Sequence, residues 1–131
     1  MPDQRTFRIV GESLLREERL RRRADFRCCY ERGRRLHGRW VTLYVLERGR
    51  ETALPRLGIT VTRKVGGAVV RQKMKRRIRE IYRRWNRRRQ LPPYDIVVHV
   101  KPRAATVDFA TLQTEILHLL QPLVQRELQV G

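Results

Sequence analysis

Acidic side chains are scarce in this chain, 13 Asp and Glu against 31 Lys and Arg. No two of them stand at helical or hairpin spacing in an apolar setting, so a carboxylate pair for acid–base catalysis is not expected. Neither is a magnesium site built from protein oxygens. Cysteine is limited to Cys28 and Cys29. They are adjacent, cannot form an ordinary structural disulfide, and read as small packing residues. His37, His99 and His118 lie too far apart for zinc-like spacing. Long apolar runs are missing as well. The first 30 residues offer only Leu14-Leu15, and no run of about 18 apolar residues follows. Neither a signal peptide nor a membrane span is expected, and the cytoplasm is the expected compartment. The nucleophile-elbow, Walker and HExxH patterns are absent. No catalytic residue and no metal-binding residue is expected.

Positive charge is what the chain does have. The formal net charge is +18 over 131 residues, with a pI near 11.6. Residues 63–89, RKVGGAVVRQKMKRRIREIYRRWNRRR, hold 13 basic residues and one acid, Glu80, and so +12 of that charge. Val70, Met74, Ile78, Ile81, Tyr82 and Trp85 recur at three- and four-residue steps, which predicts a helix over 68–88 with one apolar stripe. Such a helix is about 30 Å long at ~1.5 Å per residue. Arg76, Arg79, Arg83 and Arg87 centre the opposite face, and Arg71, Lys73, Lys75, Arg77 and Arg84 widen it. Glu80 can pair with Arg84 four residues on, but one carboxylate cannot offset the rest. Solvated faces usually mix signs, so a polyanionic partner explains this one better. Arginine dominates the basic residues, which favours forked contacts to phosphate. With no helix-turn-helix or zinc-finger pattern, structured or single-stranded RNA is a better fit than duplex DNA.

The length predicts one domain. Residues 1–19 read as a loosely ordered basic extension, and 20–131 as the globular RNA-binding part. Asp25 as N-cap and Gly33 as stop predict a short helix over 26–32. That helix puts Phe26 and Tyr30 on one face, either as core or as rings that stack on unpaired bases. Trp40–Leu46 and Leu57–Thr62 read as strands, and the polar segment between them suggests that they form a hairpin. Gly58, Thr60 and Thr62 share a small, hydroxylated face, either a solvent face or a surface something lies flat against. Asp95–Lys101 is a further strand, with His99 as a buried or half-buried hydrogen-bonding residue. Thr106–Leu120 is a final amphipathic helix, ended or kinked by Pro122. Residues 90–131 carry a net charge of −1, so the tail reads as structural. The order is that of an α/β sandwich, helices against one sheet.

Four segments together resemble the protein component of bacterial ribonuclease P. They are RADFRCCYERGRRL, RLGITVTRKV, GGAVVRQKMKRRIREIYR and DIVVHVKPRAA, the last followed by a Leu-rich helix. The resemblance spans roughly residues 20–121. It implies a two-layer sandwich, roughly α-β-β-β-α-β-α, with a four-stranded sheet and a left-handed crossover. It implies two RNA partners, the catalytic ribonuclease P RNA and precursor tRNA, whose 5′ leader is removed; from the residues, no membrane partner is expected and no protein partner is evident. The magnesium ions would be held by the RNA and none by the protein alone. Residue by residue, Phe26, Tyr30, Tyr44, Thr60, Thr62, Arg63 and Lys64 match the leader-binding positions. Arg71, Gln72, Lys75, Arg76 and Arg79 match the positions that bind the RNA subunit. Two departures stand out: Gly67 and Gln72 occupy places where the family commonly has Asn. A ribosomal or ribosome-assembly RNA-binding protein is the competing reading.

Overall fold

In a computed structural model of the chain, residues 14–49 and 54–130 are described, with the side chains of 125–130 set aside. Helix α1 spans Arg23–Arg32, followed by strands β1 (Arg34–His37), β2 (Val41–Glu47) and β3 (Arg56–Thr60). Helix α2 (Ala68–Arg84), strand β4 (Tyr94–Val100) and helix α3 (Phe109–Val130) complete the order. The expected α-β-β-β-α-β-α succession and four-stranded sheet are both present.

The sheet order is β1-β2-β4-β3, with β4 antiparallel to β2 and parallel to β3. The hairpin expected from β2 and β3 therefore does not form. β4 lies between them, and the antiparallel partner of β2 is β1, as in Arg35 opposite Tyr44. The physical reason is burial: β4 is covered on both faces, as its run of Ile96, Val97 and Val98 allows. Such a strand gains most at the centre of the sheet. β3, α2 and β4 then form a strand–helix–strand crossover.

Alternation along the strands gives the sheet two unlike faces. One carries Val41, Leu43, Val45, Leu57, Ile96, Val98 and Val100 into the main core, against α2 and α3. The stripe of α2 is Met74, Ile78, Ile81, Tyr82 and Trp85, all buried. Val70, expected in that stripe, is instead 39% exposed, because it sits in the first turn, before the helix reaches the sheet. The other face carries Tyr44, Leu46 and Val97 and is packed by Leu20 and by Phe26, Cys29 and Tyr30 of α1.

Three boundaries differ from expectation. Helix α1 begins at Arg23, with no side-chain cap; Asp25 lies in its first turn and pairs with Arg56 at 3.4 Å. Helix α2 ends at Arg84, and Arg88–Gln90 form a separate 3-10 turn. Helix α3 starts at Phe109, where Asp108 accepts the Thr111 N–H at 2.8 Å, and runs through Pro122 to Val130. Proline removes one helical hydrogen bond, but Leu123 and Val124 beyond it are buried and hold the helix on the core.

Residues 14–19, assigned from sequence to the loose extension, pack onto the domain. Leu14 is buried, Arg16–Glu18 form a 3-10 turn, and the Leu20 N–H donates to the Leu57 carbonyl at 2.8 Å. Glu18 and Arg88 are both buried and form an ion pair at 3.3 Å. Residues 1–13 lie outside the described residues.

Candidate nucleic-acid interface

The aromatic site is built on the α1-facing side of the sheet. Successive cross-strand partners place Arg35, Tyr44, Val97 and Gly58 in one row, and His37, Thr42, His99 and Thr60 in the next. Helix α1 lays Phe26 and Tyr30 across these rows. Phe26 rests on Gly58, where an added Cβ would stand 2.6 Å from its ring; only glycine permits that approach. The Tyr30 ring meets Tyr44 edge-on with centroids 4.6 Å apart. Its hydroxyl lies 2.8 Å from Nδ1 of His99, and the His99 ring completes an edge-to-face trio.

The three aromatic positions named from sequence are thus brought together, each half-buried. Burial raises the Tyr30 pKa above its ordinary value, and the nearby Thr60 side chain partly offsets that. Burial also lowers that of His99, which favours the neutral imidazole. His99 is a half-buried hydrogen-bonding residue as expected, and it is also a wall of the aromatic site. Beneath the cluster, the buried Cys29 thiol is pushed up to about 12 by burial first and by Asp95 second. Both cysteines are free, and Cys29 serves packing.

Ion pairs fix α1 against the sheet. Asp95, buried on β4, receives two hydrogen bonds from Arg56 at 2.8 Å each and an ion pair from Arg48 at 3.0 Å. Arg56 reaches on to Asp25 of α1. A buried carboxylate is tolerated when paired in this way.

Thr60 ends β3 half-buried, Thr62 follows it half-buried, and Arg63 and Lys64 are exposed in the turn before α2. On α2, Gln72, Arg76 and Arg79 are exposed, and Arg71 and Lys75 half-buried. Glu80 pairs with Arg84 at 2.7 Å, as expected, and also with Arg83. Arg76 and Arg79 remain directed outward. Phe26 of the aromatic set meets Lys75 and Arg79 of the basic set at the β3 edge, in a groove of about 300 Å³ lined also by Arg19, Arg21 and Gly58 among others. Arg19 and Arg21 were not singled out from sequence. The segment that carries them is held to β3 by the Leu20 N–H bond to the Leu57 carbonyl and to Arg88 by Glu18, 70 positions away.

Among the described residues no three His, Cys, Asp or Glu side chains gather as a metal site, and no helix is long and apolar enough to cross a membrane. Half-buried rings on one sheet face and an arginine-rich helix on the other are suited to binding nucleic acid by stacking and charge.

Residues 14–124 match the family model described as Ribonuclease P. The chain belongs to the ribonuclease P protein family. Among its relatives is the ribonuclease P protein component of Desulfovibrio desulfuricans, 44% identical over 115 residues that cover 86% of this chain and 87% of the relative. Two solved structures agree with the fold. The RNase P protein of Staphylococcus aureus has a TM-score of 0.71 at 31% identity, covering 79% of this chain and 93% of that one. That of Thermotoga maritima has a TM-score of 0.69 at 35% identity, covering 82% and 96%. These relatives do not favour the competing ribosomal reading.

Proposed function

We propose that this ribonuclease P family chain is the protein subunit of the endoribonuclease ribonuclease P, binding its catalytic RNA and the 5′ leader of precursor tRNA. The observation that carries the proposal is the pairing of two surfaces in one small domain, an outward arginine face on α2 and an aromatic cluster on the opposite sheet face.

Each surface has a distinct physical task. Arg71, Gln72, Lys75, Arg76 and Arg79 dock on the RNA subunit and neutralise phosphates that would otherwise repel the substrate. Phe26, Tyr30 and Tyr44 stack on leader bases, each worth ~1–3 kcal/mol and with little sequence preference. Thr60, Thr62, Arg63 and Lys64 hold the leader's sugar–phosphate chain beside the rings. Gln72 keeps an amide where the family commonly has Asn, and its exposed position leaves room for the longer side chain. Magnesium is held by the RNA partner. Of the described carboxylates, Glu18, Glu80 and Asp95 are paired with arginines, and Asp108 and Glu115 accept backbone N–H groups. The protein then contributes substrate affinity and a lower magnesium requirement, not bond-breaking groups.

The test is Tyr44→Ala in the holoenzyme. Removing the half-buried ring and its edge contact with Tyr30 costs about 2 kcal/mol of fold stability. Precursor tRNA binding should weaken by ~1–3 kcal/mol, and mature tRNA, which has no leader, should bind as before. Equal losses for both tRNAs return Tyr44 to a purely structural role.

A further inference from the structure

The β1 edge of the sheet carries a second group of arginines, remote in sequence from α2. Arg32, Arg34, Arg35 and Arg39 all stand exposed around His37. Alternation places Arg35 and His37 on the α1-facing side, opposite Tyr44 and Thr42. From there the Arg35 guanidinium lies over the Tyr44 ring, 5.7 Å from its centroid, within cation–π range.

The neighbours of the Tyr44 ring are not equally free to move. Tyr30 and His99 are half-buried and hydrogen-bonded to each other. Arg35 is exposed and forms no ion pair among the described residues. A planar guanidinium on an aromatic ring occupies the place a base would take. A base that stacks there must displace it, and the displaced side chain, still cationic, is then next to that nucleotide's phosphate.

We propose that Arg35 is a leader-binding residue that exchanges partners, covering Tyr44 in the free protein and pairing with a leader phosphate once a base stacks on that ring. The proposal rests on the reading of Tyr44 as a stacking residue. The exchange gives up a cation–π contact at an exposed site, which is weak. It gains a charge-assisted, forked contact to phosphate, which is stronger. It also gives the leader a direction. Phe26 on Gly58, then Tyr44, then Arg35 follow one row across the sheet. Three strand spacings make that row about 14 Å long. At its β3 end lies the groove shared with Lys75 and Arg79. The leader thus runs from the RNA-docking helix to the β1 edge.

The experiment compares Arg35→Ala, Arg35→Lys and Tyr44→Ala, each reconstituted with ribonuclease P RNA. Binding of leader-bearing precursor tRNA and of mature tRNA is measured over a range of salt. Arg35→Ala should weaken precursor binding by about three- to tenfold at low salt and leave mature tRNA binding unchanged. It should also lower the log–log salt slope for the precursor by about 0.7, the value for one phosphate contact on a single strand. Arg35→Lys should restore most of that slope, because the charge remains. If Tyr44→Ala loses precursor preference while both Arg35 variants match the parent in affinity and slope, the exchange is overturned and the leader reading survives. Equal loss for both tRNAs in Arg35→Ala also overturns it. If Tyr44→Ala leaves precursor preference intact, the leader reading itself fails.

Discussion

Replacing Glu115 on α3 tests whether one carboxylate holds the β1–β2 turn to the helical layer. Its Oε1 accepts the Arg39 N–H at 2.6 Å, and its Oε2 accepts those of Trp40 at 2.7 Å and Val41 at 3.0 Å. Gly38 makes room for the approach, since a Cβ there would stand 2.6 Å from the carboxylate. Lys101 secures the other side by donating to the Gly38 carbonyl at 2.6 Å. A hydrogen bond to a charged group is worth ~1.5–3 kcal/mol net. The Arg39 bond is exposed and contributes less, because water replaces the carboxylate there. Glu115→Ala should therefore destabilise the fold by ~2–4 kcal/mol, with a fall of about 10 °C in Tm for a domain of this size. Glu115→Gln keeps one carbonyl oxygen and should lose about half as much. Urea and thermal unfolding of the purified chain measure both. A Glu115→Ala variant within about 0.5 kcal/mol of the parent, the range of an ordinary surface change, would refute the reasoning. A Gln variant as unstable as the Ala variant would refute the assignment to hydrogen bonding.

Two further outcomes follow from α2 and the segment before α1. Ile78 is fully buried and Arg79 exposed, so Ile78→Ala should cost ~2–5 kcal/mol of stability, whereas Arg79→Ala should leave Tm nearly unchanged and weaken binding to the RNA subunit. Unfolding curves and an RNA-binding titration of the two variants distinguish the faces; the opposite pattern would turn the helix round. Glu18→Ala strands the buried Arg88 guanidinium and should destabilise by ~3–5 kcal/mol, read by urea unfolding, where an unchanged midpoint would count against that pair.

Local patterns were legible in the sequence wherever one residue type repeated at the period of its element. The stripe of α2 is the clearest case, because Met74, Ile78, Ile81 and Trp85 keep helical spacing over four turns. β2, β3 and β4 were readable from β-branched residues. β1 was not readable from its residues, because RRLH has no β propensity; it is an edge strand held by pairing with β2, and only the family resemblance implied a fourth strand. Pairing order was likewise hidden, since nothing local to Leu57–Thr60 says that its neighbour is β4 and not β2. The ordering of residues 14–19 depends on Glu18 meeting Arg88 across 70 positions. Helix α3 passes Pro122 because Leu123 and Val124 are buried, a tertiary gain that propensity does not record. In the candidate site, helical spacing puts Phe26 and Tyr30 on one face, only the family resemblance joins Tyr44 to them, and the structure brings the three rings together. The position of Arg35 over Tyr44 required the strand register, and that of Arg19 and Arg21 required the fold.

The most direct measurement is cleavage of a precursor tRNA at low magnesium, with this protein, with a ribonuclease P RNA, and with both. The account predicts leader removal when both are present, at a magnesium concentration where the RNA alone is slow, and none with the protein alone. Cleavage by the protein alone, or no gain on adding it to the RNA, would contradict the assignment of catalysis to the RNA and of leader and RNA binding to this chain.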